Sequence, residues 1–345
     1  MNAIKIFYFS GTGNSKQIAL WFSELAVERN IDCQLFDIAK TDVNSIDYVA
    51  PEDFVIITSP IHGFNYPPIA LNFVRKFPKG KNRAVLMCTG GGIKIGRIIT
   101  PGLAGAALML SSFFLWQKGY KITGQIIFDM PTNFVSLHPA MCEKSAKYVF
   151  DKNYVLVKKH FEKLSSGKND FTALNRIVAD VIVGLPSFAY YFWGRFFLTK
   201  TLYASYKCNN CNLCIKECPV KAIKTVNKRP FWTIKCESCL KCMNNCPVCA
   251  IEAAHGLAAL VFYVWIAGSA ALMGLLPSLF HHWLIEFLIC DVLLFFGSLF
   301  LLYRFQHLLL NSRKIAKIIS FTSLSYYKFW GRYRKRGGYK KSENY

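Results

Sequence analysis

Acidic residues are scarce in this chain: 20 Asp and Glu stand against 42 Lys and Arg, a formal net charge of +22. So basic a protein calls for an anionic partner: nucleic acid, an acidic protein or a phospholipid surface. Charge is missing altogether from Leu257–Leu276, which argues against a purely soluble protein. The N-terminal residues do not read as a secretory leader, so secretion is not expected. Only Lys5 precedes the short apolar stretch Ile6–Phe9, and no small-residue cleavage site follows it. In a reducing compartment the 13 cysteines read as metal or redox ligands rather than disulfides.

Residues 1–165 alternate short apolar runs with helical patterns. Ala3–Phe9, Ile31–Phe36, Asp53–Thr58, Arg83–Cys88 and Tyr120–Met130 read as strands. Ser15–Arg29, Pro67–Phe77, Arg97–Gln117 and Pro139–Leu164 fit helices between and after them. This alternation predicts a doubly wound α/β parallel sheet with helices on both faces. The uncharged run Leu103–Trp116 is too short to cross a bilayer and reads as a buried helix. Ser165–Asp170 is a polar break. The aromatic stretch 166–206 then reads either as a packed connector or as an interfacial element with Arg195 and Lys200 facing headgroups.

Residues 207–255 carry a repeat. Cys208, Cys211, Cys214 and Cys218 followed by Pro219 recur as Cys236, Cys239, Cys242 and Cys246 followed by Pro247, at a constant offset of 28. Three thiolates on one short loop can hold three corners of a cubane, while the fourth cysteine reaches the neighbouring cluster. The expected sets are Cys208, Cys211, Cys214 and Cys246 for one [4Fe–4S] cluster, and Cys236, Cys239, Cys242 and Cys218 for the other. The repeat aligns Cys249 with Lys221, so Cys249 is not expected to ligate. Zinc is the alternative, but zinc ribbons separate two Cys-x2-Cys pairs and have no use for the third cysteine or the Cys-Pro. The segment resembles bacterial-type two-cluster ferredoxins, small α+β domains that carry single electrons. Cys33, Cys88, Cys142 and Cys290 lie in apolar contexts and read as core residues.

After the first strand comes Ser10-Gly11-Thr12-Gly13-Asn14-Ser15-Lys16, a glycine-rich turn opening a helix and so a ready phosphate site. It lacks the Gly-Lys-Ser/Thr of a Walker loop and the third glycine of a dinucleotide loop. Thr58–Phe64 and Thr89–Gly92 follow later strands and belong at the same carboxyl edge. The loop is similar to the FMN-phosphate loop of flavodoxins, with Ser10, Thr12, Gly13 and Ser15 in matching positions. The resemblance implies strand order 2-1-3-4-5 and a phosphate held by Ser10, Gly11, Thr12, Gly13, Asn14 and Ser15. It also implies an isoalloxazine ring flanked by Pro60, Ile61, His62, Gly63 and Phe64 and by Thr89, Gly90 and Gly91. His62, Phe64 and Tyr66 are the aromatics available to cover the ring. Together with Met130–Asn133, the two resemblances make the chain similar to EFR-family ferredoxins, with an added C-terminal extension.

In that extension, residues 256–303, Leu257–Leu276 is long enough to span about 30 Å of hydrocarbon. Leu284–Tyr303 nearly matches it but holds Glu286 and Asp291. Between them Pro277–Trp283 has no Lys or Arg, whereas residues 304–345 hold 11 and a single acid, Glu343. The positive-inside rule then predicts a transmembrane hairpin in the cytoplasmic membrane with both ends in the cytoplasm. Asp291 at mid-bilayer depth calls for a partner helix or a wet cavity, with a surface-packed hairpin as the alternative. The tail Trp330–Lys341 suits anionic headgroups better than nucleic acid. The expected function is a membrane-anchored electron carrier joining FMN, two clusters and a redox protein or membrane partner. A flavin oxidoreductase using His62, or an iron–sulfur sensor, are the alternatives.

Overall fold

The computed structural model describes residues 3–43, 46, 49–50, 52–132, 134–279 and 283–330, and only the backbone of 276–279 and 283. Asn133, residues 280–282 of the expected Pro277–Trp283 loop and residues 331–345 of the expected basic tail lie outside the described residues. The chain forms two compact units, one from residues within 1–133 and 140–194, the other from residues within 134–139 and 195–332.

The first unit is a parallel five-stranded sheet. Its strands are β1 (Ala3–Tyr8), β2 (Asp32–Asp37), β3 (Asp53–Pro60), β4 (Arg83–Gly92) and, after a two-strand hairpin of β5 (Lys94–Ile95) and β6 (Ile98–Ile99), β7 (Lys121–Pro131). The order β2-β1-β3-β4-β7 is the 2-1-3-4-5 arrangement expected from the resemblance. Phe54, Val55, Ile56 and Ile57 are all buried, as the middle of a covered parallel sheet requires. Helices α1 (Asn14–Glu28), α2 (Pro68–Lys76), α3 (Ala107–Gln117) and α4 (Glu143–Ser165) connect and follow the strands. Ile18, Trp21, Phe22 and Leu25 of α1 pack with Phe150, Val157 and Phe161 of α4 onto Ile4, Ile6, Ile56 and Phe128.

Two local expectations change. The helix expected from Arg97 begins only at Ala107, because Pro101 and Gly102 interrupt the pattern and residues 94–99 pair as a hairpin. The fourth strand also runs past Cys88, since Gly90, Gly91 and Gly92 pair with Asp129, Met130 and Pro131 of β7. After α4 the chain remains in this unit: α5 (Ile177–Ala189) and a π-type turn (Tyr190–Gly194) follow a 3-10 turn at Thr172–Arg176.

The second unit begins with α6 (Arg195–Thr199) and β8 (Leu202–Ala204), then α7 (Leu213–Lys216), the β9 (Ile223–Val226) and β10 (Arg229–Trp232) hairpin, α8 (Lys241–Asn245) and β11 (Ile251–Ala253). Asn227 and Lys228 both take positive φ, the backbone a tight two-residue hairpin turn needs. β11 pairs antiparallel with β8, bringing the segment's two ends together. Two long helices follow, α9 (His255–Leu279) and α10 (Trp283–Leu309), and then α11 (Arg313–Phe321). Along the α9–α10 contact Trp265 meets Phe295 with ring centroids 5.3 Å apart, and Gly268 lets Leu294 come close. The foot of α10 is fixed to the cysteine-bearing segment: Trp232 N donates to Tyr303 Oη at 3.2 Å, and Tyr303 Oη donates to Leu202 O at 3.2 Å.

Candidate functional site

In the second unit the sequence repeat is also a conformational repeat. Positive φ occurs at Asn210 and Ser238, at Asn212 and Leu240, and at Lys221 and Cys249, each pair 28 residues apart. These left-handed residues bend each cysteine loop at matching positions. The backbone N–H of Ala222 points at Cys218 Sγ and that of Ala250 at Cys246 Sγ, both at 3.2 Å. Cys208, Cys211, Cys214 and Cys246 line one pocket, with Pro230, Pro247 and Ile251 among its other walls. Burial and then the neighbouring thiols Cys208, Cys246 and Cys211 push Cys214 up to about 11. Burial raises Cys236 to about 11 and Cys239 to about 12, with Cys218 adding to both, so Cys218 lies among the second loop's thiols. Among the described residues no three His, Cys, Asp or Glu side chains are close enough to hold a single metal ion.

Lys200 does not face solvent or headgroups. It is buried; its ammonium donates to Trp232 O at 2.6 Å and lies 4.9, 5.5 and 4.6 Å from the rings of Phe231, Phe300 and Tyr303. Burial pulls its pKa down to about 8, while Cys236 pulls it upward. The sequence reading missed this because a lysine among aromatics looks the same whether the rings cover it or lipid does. Of the four cysteines outside the repeat, Cys88 is buried, but Cys142 is exposed just ahead of α4 and is no core residue.

In the first unit, parallel register brings three of the singled-out segments to one edge. Tyr8 pairs with Thr58, and Pro60 with Thr89, so the chain after β1, β3 and β4 leaves the sheet at neighbouring points. Gly13, with φ of 107°, donates its N–H to Ser10 Oγ at 3.1 Å, wrapping the turn that starts α1. A Cβ on Gly13 would meet nothing within 4 Å, so the space over this helix N-terminus is open. Ser15 instead points inward, its Oγ 2.8 Å from Thr89 Oγ1, and Asn14 Nδ2 donates to Pro131 O at 2.9 Å. Asn14 Oδ1 and Thr58 Oγ1 are buried at this edge with no protein partner. An open N-terminal turn beside orphaned polar atoms fits a phosphate-bearing cofactor.

The next loop is tight: His62 and Asn65 exchange backbone hydrogen bonds of 2.8 and 3.2 Å, and Ile61 N donates to Thr89 O at 3.2 Å. Tyr66 is unavailable to cover a ring, since it is buried and its hydroxyl donates to Met87 O at 2.7 Å. The aromatic that does sit here is Tyr190, far along the sequence. A Cβ built on Gly63 would run into the Tyr190 ring, and Gly63 itself has φ of 53°. Only the apolar, aromatic character of 171–206 hinted at it. Beside this loop, Asp180 Oδ1 accepts the N–H groups of Ala104 and Gly105 at 2.7 and 2.9 Å. Arg176 forks onto Asp129 at 3.0 and 2.8 Å, and Asp129 accepts Gly102 N at 2.7 Å.

A protein-family model described as a flavodoxin domain matches residues 5–94, and one described as a 4Fe-4S binding domain matches residues 205–224. No curated protein matches the chain. Solved structures with similarity include rubredoxin oxygen:oxidoreductase from Desulfovibrio gigas, 13% identical over 48% of this chain and 37% of that one, TM-score 0.32. Others are the two-electron reduced Megasphaera elsdenii flavodoxin, at 16% identity, 42% and 94% coverage and TM-score 0.29, and oxidised Bacillus cereus flavodoxin 1, at 13%, 46% and 98%, and 0.31. The chain is thus a flavodoxin-like domain fused to a 4Fe–4S ferredoxin-type domain, a combination whose general role is electron transfer. Three helical stretches, Thr172–Thr199, His255–Leu275 and Leu284–Leu309, are long and apolar enough to cross a membrane.

Proposed function

We propose that the chain is a membrane-anchored electron carrier that links FMN in the first unit to two [4Fe–4S] clusters in the second, and these to a redox protein or membrane partner. The observation that carries this reading is the four-cysteine cavity, in which Cys246 of the second loop joins Cys208, Cys211 and Cys214 of the first. A zinc ion would need its sulfurs about 2.3 Å from a single centre. Here four thiols drawn from both loops line one pocket instead of converging on a point, which suits a cubane.

When bound, FMN supplies one- and two-electron chemistry and each cluster one-electron chemistry. Ser10, Thr12 and Gly13, with the first turn of α1, would hold the phosphate; Pro60–Phe64 and Thr89–Gly91 would flank the ring. The N–H groups of Ala222 and Ala250, aimed at Cys218 and Cys246, stabilise ligand charge and so raise the cluster potentials. Cations around the clusters, Lys207, Arg229 and Lys241 among them, act in the same direction. α9 and α10 form the hairpin anchor, and the fixing of Tyr303 to Trp232 and Leu202 couples that anchor to β10 and β8 beside the cysteine loops. Anaerobic purification from membranes tests the proposal: about one FMN and about eight irons with matching sulfide are expected per chain. A colourless protein that binds zinc would overturn it.

A further inference from the structure

Helix α5 is amphipathic in reverse. The face turned to its own unit is small and polar, formed by Ala173 just ahead of the helix, then Asp180, Gly184 and Ser187, with Asp180 only 5% exposed. Its outer face carries Val178, Val181, Ile182, Leu185 and Phe188, at spacings of three, one, three and three residues. Three of these, Val178, Ile182 and Leu185, are 71%, 67% and 77% exposed, and Phe192 and Trp193 extend the exposed apolar surface into the π-type turn. Single exposed apolar side chains are ordinary, but a continuous stripe of bulky ones marks a surface that something covers.

We propose that this stripe lies in the plane of a phospholipid bilayer and that α5 thereby holds the flavin-binding edge of the first unit against the membrane surface. The inference rests on the membrane reading given above and extends it to a third element. Two observations name lipid as the occupant. In the second unit, α6 continues the same helical run and packs directly on the long apolar helices: Phe197 lies 5.2 Å from Phe262 and 6.0 Å from Phe295, and Phe196 lies 6.5 Å from Phe296. Two residues beyond α6, Thr201 O accepts the N–H of Ala254, the residue before α9. The chain that leaves the stripe therefore enters the second unit through α6, whose end lies beside the start of the first long apolar helix. The chain's net charge of +22 adds an attraction to an anionic lipid surface.

The same contacts forbid crossing. Asp180 holds the backbone of Ala104 and Gly105, and Arg176 holds Asp129 and Gly102 O. A spanning α5 would carry these irregular loops into hydrocarbon, where backbone groups cannot remain unpaired. Seated in the interface, the helix keeps its polar face on the protein and its apolar face in the upper acyl region. Through Asp180 and through Tyr190 on Gly63, it fixes the loops at the flavin edge.

The test uses the intact holoprotein, one copy per nanodisc of mixed phosphatidylcholine and phosphatidylglycerol, with two photoactivatable phospholipids. One carries its diazirine near the glycerol, the other at the acyl end, and labelled residues are mapped by mass spectrometry. The expected result is labelling of residues 178–188 by the shallow probe and of α9 and α10 by the deep one, with the deep probe sparing 178–188. Labelled α9 and α10 beside an unlabelled stripe would overturn this inference while leaving the hairpin intact, and would indicate a second copy or a protein as the stripe's partner. Deep labelling of 178–188 would overturn it in favour of a span. Absence of label from α9 and α10 would instead overturn the hairpin.

Discussion

The indole Nε1 of Trp265 on α9 donates to Asp291 Oδ1 on α10 at 2.9 Å. Ser269 Oγ, one turn further along α9, bonds the same carboxylate oxygen. The one acid expected at mid-bilayer depth therefore turns toward the neighbouring helix. Inter-helix hydrogen bonds of this kind are worth about 0.6 kcal/mol on average and up to about 1.7 kcal/mol in membranes. Trp265→Phe should lower the protein's resistance to unfolding in sodium dodecyl sulfate by an amount in that range. Asp291→Asn, which keeps an acceptor, should cost less than Asp291→Leu, and the ordering is read from unfolding midpoints in mixed micelles.

The proposed sharing of ligands between the two cysteine loops gives a stoichiometric prediction. Cys214→Ser should remove one cluster and bring iron from about eight to about four per chain, and Cys246→Ser should deplete the same cluster although it lies in the other loop. Cys249→Ser should leave iron unchanged, because Cys249 holds the left-handed position that Lys221 fills in the first loop. Iron analysis with low-temperature electron paramagnetic resonance distinguishes these outcomes. Equal loss of both signals in Cys246→Ser would count against the crossed assignment.

The parts of the fold written as periodic patterns were legible in the sequence. The five-strand alternation and the 28-residue cysteine repeat both reappear, the second down to matched backbone conformations at Asn210 and Ser238. Contacts between distant segments were not legible. Nothing in the run around Tyr190 shows that its ring meets Gly63, about 130 residues earlier in the chain, and nothing near Lys200 shows that three aromatic rings enclose it. The start of α3 was misplaced for a local reason: apolar content suggested helix from Arg97, whereas Pro101 and Gly102 hold the backbone out of it. Ser15 matches the phosphate loop in sequence, yet its hydroxyl lies 2.8 Å from that of Thr89, a contact between distant segments that the motif does not show.

Gly63 is constrained twice, by a φ of 53° and by the Tyr190 ring lying where a side chain would begin. Gly63→Ala should cost at least about 1–2 kcal/mol from the left-handed backbone alone. The clash with Tyr190 adds to this. Tyr190→Ala should relieve the clash but not the backbone strain, so the double variant Gly63→Ala/Tyr190→Ala should be more stable than the sum of the two single effects predicts. Thermal unfolding with and without added FMN measures the cycle. Simple additivity would mean that the two residues do not meet in solution.

Asp170 closes the polar break after α4. Its carboxylate is buried, with Oδ2 2.6 Å from His160 Nδ1 and Oδ1 3.2 Å from Lys163 Nζ, while its backbone bridges Thr123 and Gln125 at 2.8 Å each. Burial raises its pKa, but the His160 and Lys163 contacts outweigh burial and hold it below the usual carboxylate range. A group whose folded pKa is depressed contributes stability above its unfolded pKa, about 3.9, and that contribution disappears as pH falls through the folded value. Hydrogen exchange at the Gln125 amide should therefore show protection in the wild type above about pH 4 that weakens on further acidification. Asp170→Asn should flatten this dependence, after each pH is corrected for intrinsic exchange. Asp170→Ala, which leaves His160 without its acceptor, should lose more stability at neutral pH than Asp170→Asn. Because the readout lies in β7, it reports on this contact whatever happens to the acid-labile cysteine loops.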